Sequence, residues 1–465
     1  MKSTINLGYV IFLSVVAAIG GFLFGYDTAV ISGTISSVKV QFGLNSIQLG
    51  WYVGCALAGS IGGVVFAGAL SDSIGRKKTM LLAAVLFSIS GFGCAISQTF
   101  NELVLYRIVG GVGIGVASII CPLYISELAV AKYRGSLVSL YQLAITMGFV
   151  GAYLVNYQLL NFSLSVDSLS IPFFDKVFIS EAWRGMLAME SLPAIVFFII
   201  IFFIPESPRW LVSKNRIAEA TGIFSNIYCS DTEVKSQVAA TESVSKSDGK
   251  SDWRLLLKPG IFRAVIIGVF IAILGQFMGV NAVLYYGPKI FEDAGLSGGD
   301  SLYYQVLIGA VNMLTAVLAM FIIDRVGRKM LVYYGVSGMI LSLLLIAFYF
   351  IKGEALGISS TFLLVFFLFY IFSCAISICA VVWVLLSEMY PTKVRGLAMS
   401  IAGFALWIGT FLIGQLTPWL LETLTPAGTF ILFAVMCLPY IFIMWKYVPE
   451  TSGKSLEEIE KYWDK

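Results

Sequence analysis

Long blocks of apolar residues alternate with short polar segments along the chain. A helix needs about 20 apolar residues to cross a hydrocarbon core about 30 Å thick, and twelve blocks approach or exceed that length. The pattern therefore predicts an all-α integral membrane protein with twelve transmembrane helices. The predicted spans are residues 9–31, 48–70, 79–97, 103–125, 136–157, 186–204, 262–287, 303–323, 330–350, 362–387, 396–420 and 428–447.

A secretory signal peptide is the alternative interpretation of the first block. That block is longer than the apolar region of a signal peptide, one lysine precedes it, and a convincing small-residue cleavage site is missing. We therefore interpret it as the first membrane helix.

Composition supports a membrane location. Hydrophobic residues make up 58% of the chain and charged residues 12%, whereas an average soluble domain is about 25% charged. The net charge of +3 does not indicate a nucleic-acid partner. The hydrophobic composition instead indicates that the chain is surrounded by the lipid bilayer.

Lysine and arginine mark one side of the predicted membrane. They cluster after the second, fourth, sixth, eighth and tenth spans, whereas the other loops are mainly acidic. Since cytoplasmic loops carry an excess of basic residues, we expect both termini to be cytoplasmic. The basic residues of the shorter loops are Arg76, Lys77, Lys78, Lys132, Arg134, Arg325, Arg328, Lys329, Lys393 and Arg395.

A polar segment divides the apolar blocks into two sets of six. We expect an N-terminal six-helix bundle (residues 1–204), a cytoplasmic linker with short helices (205–259), a C-terminal six-helix bundle (260–447) and a cytoplasmic tail (448–465). The fold class is therefore two pseudo-symmetric six-helix bundles.

The two sets of spans carry the same loop motifs. Segment 72–78 is similar to segment 324–329, and segment 205–210 is similar to segment 449–454. A glutamate seven residues before an Arg-Gly pair also occurs once in each set. Parallel repeats of this kind are typical of transporters in which one half rocks against the other.

The charged residues of these motifs predict a gate at the cytoplasmic helix ends. Arginine and glutamate form charge-assisted pairs, and such pairs across the two halves close the interior mouth in one state. Charges that only set membrane orientation are the alternative for any single motif, but three motif pairs in register favour a gate. The predicted gate residues are Asp72, Arg76, Glu127, Arg134, Glu206, Arg209, Asp324, Arg328, Glu388, Arg395 and Glu450.

With these motifs, the whole chain resembles the sugar porter family of the major facilitator superfamily, and in particular its bacterial proton-coupled xylose symporters. The family's second signature fits segment 109–134 at every fixed position. The resemblance implies the major facilitator fold, a monomer, and a bacterial inner membrane location. The matching signature residues are Gly111, Gly115, Tyr124, Glu127 and Arg134.

An aspartate, Asp27, lies among apolar residues of the first span. An ionised aspartate at the bilayer centre costs about 2.5 to 3.5 kcal/mol on insertion scales, so Asp27 requires a partner or a function unless it faces water at the helix end. Arg107 in the fourth span is the candidate partner, with a snorkelling interfacial arginine as its alternative. The resemblance implies that Asp27 and Arg107 form the protonation pair and that Glu190 assists proton relay or gating.

The seventh span combines polar side chains with Gly275, Gly279, Gly287 and Pro288. Glycine and proline in a membrane helix predict a break that exposes side chains to a cavity near the midplane. Sugars are bound by amides, hydroxyls and aromatic rings, although single polar residues in membrane helices also serve as interhelical contacts. The resemblance implies the substrate ligands Phe24, Gln142, Gln276, Asn281, Tyr285 and Trp407.

Four positions depart from the resembled xylose symporters. Phe149, Gly275 and Leu406 stand where glutamine is expected, and Ile378 stands where tryptophan is expected. Each lost amide removes a hydrogen bond worth about 1 kcal/mol. The identity of the sugar therefore does not carry over.

Together, the sequence predicts a secondary active transporter that imports a monosaccharide, a xylose-like pentose or hexose, by proton symport through alternating access. A facilitator for a sugar or an inositol-like polyol without proton coupling is the alternative. The sequence has no histidine, and six of its seven cysteines lie inside predicted spans, where they serve as packing residues. Together with the lack of a nucleotide loop or nucleophile–base motif, this predicts no enzyme activity, no cofactor and no metal ion.

Overall fold

The computed structural model describes residues 5–130, 133–247, 253–391, 394–451, 459 and 463, without the side chains of 244–247, 253 and 324. Within these residues, twelve helical segments are long and apolar enough to cross a membrane, which confirms the predicted number of spans. The spans are Leu7–Gly33, Ser46–Ile74, Arg76–Ile96, Phe100–Leu128, Arg134–Ser165, Ala182–Ile201, Pro259–Asp293, Gly298–Ile323, Arg328–Lys352, Ser360–Met389, Arg395–Thr423 and Thr425–Lys446. Most of the predicted tail, residues 448–465, lies outside the described residues.

Several spans have side-chain caps at their N-termini. In the fourth span, Thr99 Oγ1 accepts a hydrogen bond from the Glu102 backbone N–H at 3.3 Å, and the Glu102 carboxylate accepts from the Thr99 N–H at 3.4 Å. This capping box satisfies backbone donors that have no partner within the helix. Ser297 and Ser359 cap the eighth and tenth spans in a similar way.

The first span ends in a 3₁₀ turn, Ile31–Gly33, and three further spans are interrupted within their length. The seventh consists of Pro259–Phe277 and Val280–Asp293, with Gly279 between them. The sixth is interrupted between Ala182–Ala188 and Ser191–Ile201. In the tenth, residues Ala375–Cys379 form a turn of π-helix. Such interruptions are common at functional sites because they leave backbone groups and side chains free of the regular helical pattern.

The described helices form two compact units. One contains Met1–Thr28, Ala58–Ala152 and Arg184–Lys250, and the other contains Ala29–Leu57, Tyr153–Trp183 and Ser251–Lys465. Several unit boundaries fall inside spans, so the units differ from the predicted N-terminal and C-terminal bundles. The predicted domain boundaries therefore stay predictions.

In the second unit, the short helix Ile35–Phe42, which follows the first span, and the fifth span both contact the seventh span. Ser36 Oγ donates a hydrogen bond to Glu292 Oε2 at 2.5 Å, and the Tyr153 hydroxyl donates to the Leu284 carbonyl oxygen at 2.9 Å. These bonds join residues from both sets of six spans on the side of the membrane opposite the termini. We call this group of contacts the far-side contacts.

Between the sixth and seventh spans lie short helices. They are Pro208–Ser213, Ile217–Ile227, Asp231–Ser247 and the 3₁₀ segment Trp253–Leu257. The first two pack together through Trp210, Leu211, Val212 and Ala220. An isolated bridge between Ile5 and Tyr228 ties the chain before the first span to this group.

Candidate functional site

A buried acid in the first span contacts a buried arginine in the fourth. Asp27 is fully buried, and Arg107 is 2% exposed. Arg107 Nη1 donates to Asp27 Oδ1 and lies 3.4 Å from the Asp27 carbonyl oxygen. Burial excludes the alternative in which Asp27 faces water at the helix end, and the contact brings the two predicted partners together. Their role in proton coupling stays a prediction.

Glycine makes room for this ion pair. A Cβ atom on Gly110 would lie 3.0 Å from Asp27 Oδ2 and would also collide with Ser90 Oγ. Gly110 lies almost one turn after Arg107, on the same face of the fourth span. The glycine-rich run of this span therefore allows the first span to approach closely enough for the acid and the guanidinium to meet.

A second acid, Glu190, lies at the interruption of the sixth span. It is 1% exposed, and its carboxylate interacts electrostatically with Asp27 and Arg107. Within the described residues, Glu190 Oε1 has no hydrogen-bond partner. Three buried ionisable groups, two acidic and one basic, thus share one site. When both acids are ionised, these three groups carry one unmatched negative charge, which burial makes costly.

The interruption at Glu190 has a local cause. Pro193 has no backbone N–H and its ring opposes the carbonyl four residues earlier, that of Met189. The Met189 carbonyl accepts instead from the Leu192 N–H at 3.2 Å. Sequence reasoning did not predict this break, although the position of Pro193 was a signal for it.

A polar cluster lies at the break of the seventh span. Asn281 Nδ2 donates to Gln276 Oε1 at 2.7 Å, and Thr410 Oγ1 from the eleventh span donates to the same oxygen at 3.2 Å. Gly279 has φ +91°, in the left-handed region that favours glycine. The break therefore brings Gln276 and Asn281 together, although they are five residues apart. Thr410 was missed by sequence reasoning.

The predicted aromatic ligands lie in different environments. Tyr285 and Trp407 are buried in the second unit, at 2% and 8% exposure. Trp407 is nearly one turn before Thr410 and shares its helix face. Phe24 is partly buried and Gln142 is exposed, and both belong to the first unit. A single substrate site formed by all six predicted ligands therefore stays a prediction.

Two of the altered positions are neighbours. A Cβ atom on Gly275 would lie 3.5 Å from Ile378 Cγ2 and 3.8 Å from the Tyr440 ring. Ile378 belongs to the π-helical turn of the tenth span and is buried, as is Phe149. Apolar packing thus surrounds the place where the resembled symporters have an amide and an indole. Leu406 is partly buried in the eleventh span.

Charged clusters of the same design occur at one end of each set of spans. In the first unit, Arg76 Nη2 lies 3.0 Å from Glu127 Oε1 and Arg76 Nη1 lies 2.9 Å from Asp72 Oδ1. Glu206 accepts a hydrogen bond from the Arg76 backbone N–H at 2.9 Å. A carboxylate at a helix N-terminus is favoured by the helix dipole.

In the second unit, Arg328 Nη2 lies 2.8 Å from Glu388 Oε1. Glu450 accepts from the backbone N–H groups of Arg328 at 3.2 Å and of Lys329 at 3.1 Å. Each of these ion pairs joins residues of the same set of six spans, whereas the prediction placed pairs across the sets. The gate role stays a prediction.

The remaining predicted gate residues have varied surroundings. Arg395 Nε donates to the Tyr390 carbonyl oxygen at 3.3 Å. Arg134 Nε has no hydrogen-bond partner among the described residues, and Arg209 is exposed. The Asp324 side chain lies outside the described part of the chain.

Known proteins resemble this chain over nearly its full length. The sequence profile of the family "Sugar (and other) transporter" matches residues 13–463. The arabinose-proton symporter of Bacillus subtilis is 36% identical over 460 residues, covering 99% of this chain and 96% of that protein. The D-xylose-proton symporter of Escherichia coli strain K12 is 36% identical over 499 residues, covering 100% of this chain and 98% of that protein.

A solved structure agrees with these matches. The proton:xylose symporter XylE of the major facilitator superfamily, bound to 6-bromo-6-deoxy-D-glucose, aligns with a TM-score of 0.78 and 35% identity. The alignment covers 98% of this chain and 100% of that chain. The chain therefore belongs to the sugar transporter family, has the major facilitator fold, and is a transporter rather than an enzyme.

Proposed function

We propose that this protein imports a monosaccharide, a xylose-like pentose or hexose, together with a proton by alternating access. The observation that carries the proposal is the buried group of Asp27, Arg107 and Glu190. Relatives that match the whole chain are named as proton symporters of arabinose and xylose, which supports the same function.

The charge of this group explains why a proton would be bound. One guanidinium compensates one carboxylate, and the second carboxylate then adds an unmatched buried charge. A proton on either acid removes that charge. Since a buried carboxylate changes its protonation when its solvation or its distance to a cation changes, a conformational change at this site couples to proton binding and release.

The polar cluster of the second unit suits an uncharged ligand. Gln276 and Asn281 provide amide groups, and Trp407 and Tyr285, buried in the same unit, provide aromatic rings. Sugars carry hydroxyl groups that accept and donate hydrogen bonds, and apolar C–H faces that stack on rings. The cluster therefore supports a sugar as the cargo.

Uptake by purified protein in proteoliposomes tests this proposal. An inward gradient of about one pH unit stores about 1.4 kcal/mol per proton, enough for about tenfold accumulation at one proton per sugar. We expect labelled xylose, arabinose or glucose to accumulate when the outside is acidic and to equilibrate without accumulation when a protonophore is added. Accumulation that a protonophore leaves unchanged would contradict proton coupling. Equilibration alone under both conditions would favour the facilitator.

The same proposal places the protein in a bacterial plasma membrane, as a monomer with both termini in the cytoplasm. Basic residues on the side of the termini support this orientation. Cys229 is exposed in the segment between the sixth and seventh spans and provides a probe. A membrane-impermeant maleimide should label it in inverted vesicles but not in intact cells, with Cys229→Ser as the control. Labelling of Cys229 in intact cells would instead indicate the opposite orientation, with both termini outside the cytoplasm.

A further inference from the structure

The side chain of Gln276 contacts three residues of the second unit. Its carbonyl oxygen accepts hydrogen bonds from Asn281 at 2.7 Å and from Thr410 at 3.2 Å. Gly409 lies against the stem of the side chain, since a Cβ atom there would be 3.2 Å from Gln276 Cβ. These contacts restrict the rotation of the amide and fix which of its ends faces the polar cluster.

The polarity of the amide then determines what it offers to a ligand. With its oxygen occupied twice, Gln276 presents its two N–H donors outward. Asn281 uses Nδ2 toward Gln276, so its carbonyl oxygen remains as an acceptor. Within the described residues, neither Gln276 Nε2 nor Asn281 Oδ1 makes a hydrogen bond. The two amides that carry this donor and this acceptor are in hydrogen-bond contact, so a single hydroxyl group that accepts from one and donates to the other would match them.

Thr410 is anchored to its own helix. Its hydroxyl also donates to the Leu406 carbonyl oxygen at 2.9 Å, so one hydrogen is shared between the helix and Gln276. A hydroxyl that is fixed by its backbone in this way has little freedom to turn. Thr410 therefore contacts Gln276 from a second helix, the eleventh span.

We propose that Thr410 is a positioning residue that fixes the polarity of the Gln276 amide, so that Gln276 and Asn281 together recognise one hydroxyl of the sugar. This inference rests on the proposed function, and it assigns part of the selectivity to a residue that acts through Gln276. Thr410 affects which sugars bind well, whereas the ion pair of Asp27 and Arg107 couples their transport to the proton gradient.

The variant Thr410→Val, which removes the hydroxyl at similar volume, tests the inference. Loss of one ordinary hydrogen bond corresponds to a change of about 2- to 12-fold, so we expect KM for the transported sugar to rise within that range. The maximal rate and the response to the proton gradient should stay near those of the native protein. Thr410→Ser keeps the hydroxyl and should restore the native KM.

Thr417→Val is the matched control. Thr417 lies in the same helix, is buried, and donates to the Ile413 carbonyl oxygen at 2.7 Å. This variant therefore loses the intrahelical bond alone. An equal rise of KM in Thr410→Val and Thr417→Val would overturn the inference, because both changes would then reflect a general effect on the helix.

A double-mutant cycle with Gln276→Ala separates positioning from structure. If Thr410 acts through the amide, Thr410→Val has no further effect on KM once the amide is gone. The same fold change in both backgrounds would overturn the inference. Should Thr410→Val fail to purify as a monodisperse protein, Thr410→Ala is measured in the same cycle. Native protein that takes up no sugar would instead refute the proposed function, and this inference with it.

Discussion

At the scale of single residues, the first span carries a buried acidic side chain that interacts with two other buried ionisable groups. Asp27 is fully buried and in contact with Arg107, and Glu190 acts on both through space. Removing one member of a buried ion pair leaves the other uncompensated at a cost of about 3–5 kcal/mol. The pair is therefore sensitive to any change of charge, including the binding of a proton.

The variant Asp27→Asn should separate coupling from transport. Asparagine is similar in size and retains an oxygen for Arg107, but it binds no proton at physiological pH. We expect proton-driven accumulation to disappear, while exchange of labelled for unlabelled sugar across the membrane continues. Counterflow and accumulation are measured on the same proteoliposomes.

Glu354→Gln is the control for this change, because Glu354 is exposed between the ninth and tenth spans. It should accumulate sugar as the native protein does. Undiminished accumulation by Asp27→Asn would exclude Asp27 as the coupling acid. Loss of both accumulation and counterflow, with the protein still folded, would assign Asp27 a structural role instead.

Sequence reasoning works at this scale when a residue contrasts with its surroundings. A carboxylate among apolar residues costs free energy, so Asp27 is visible in the sequence, and the Asp27–Arg107 contact follows the predicted pairing. Thr410 is not visible in this way. Threonine in a membrane helix commonly bonds to its own backbone, as Thr410 and Thr417 both do, and only the structure shows that one of them also reaches Gln276.

At the scale of elements, interrupted helices place the polar side chains. The break between Pro259–Phe277 and Val280–Asp293 brings Gln276 and Asn281 into contact. The Tyr370 hydroxyl donates to the Met278 carbonyl oxygen at 2.7 Å and so satisfies backbone that the break leaves exposed. An unsatisfied carbonyl in a membrane interior costs several kcal/mol, so the Tyr370–Met278 hydrogen bond stabilises the break.

Gly279→Ala tests the importance of the break. The residue has φ +91°, and a side chain in such a conformation costs about 1–3 kcal/mol. A Cβ atom there would also press into the Phe433 ring. We expect a lower midpoint of thermal unfolding in detergent and reduced sugar uptake.

Gly62→Ala is the matched control, because Gly62 lies in the helix Ser46–Ile74 and a Cβ atom there would meet nothing within 4 Å. Its unfolding midpoint should equal or slightly exceed that of the native protein. Equal midpoints for Gly279→Ala and the native protein would show that the seventh span adapts without strain.

Elements differ in how well the sequence predicts them. Apolar length predicts all twelve spans because the bilayer imposes one thickness on each. The seventh-span break was predicted, but it falls at Gly279 while Gly287 and Pro288 lie inside a helix. The π-helical turn at Ala375–Cys379 has no glycine or proline, so it arises from packing between helices that the local sequence does not encode.

At the scale of the whole molecule, the far-side contacts join the two sets of six spans within the second unit. Besides the two hydrogen bonds described above, the rings of Tyr157 and Tyr303 lie 5.8 Å apart, and those of Trp51 and Phe411 lie 6.4 Å apart. Alternating access requires contacts between the two sets of spans to part and re-form in each cycle. A binding site that loads from this side therefore needs the far-side contacts to open.

The double variant Ser36→Cys/Glu292→Cys tests this requirement. The native side chains form a hydrogen bond of 2.5 Å, so two cysteines there are close enough for a short bifunctional reagent that bridges thiols through reducible disulfide bonds. We expect cross-linking to stop uptake and subsequent reduction to restore it, because the bridge holds the contacts closed. The variants Ser36→Cys and Glu292→Cys, each treated in the same way, show any effect of the reagent on one introduced cysteine and on the native cysteines.

A second pair controls for the chemistry itself. Lys289 and Asp293 form an ion pair of 2.7 Å within the one helix Val280–Asp293, so a bridge between cysteines at these positions joins no separate elements. The variant Lys289→Cys/Asp293→Cys should keep its uptake after the same treatment. If the Ser36–Glu292 bridge also leaves uptake unchanged while mass spectrometry shows it complete, the far-side contacts do not open during transport. Loss of uptake in that bridge alone would identify opening at this contact as a step of the cycle.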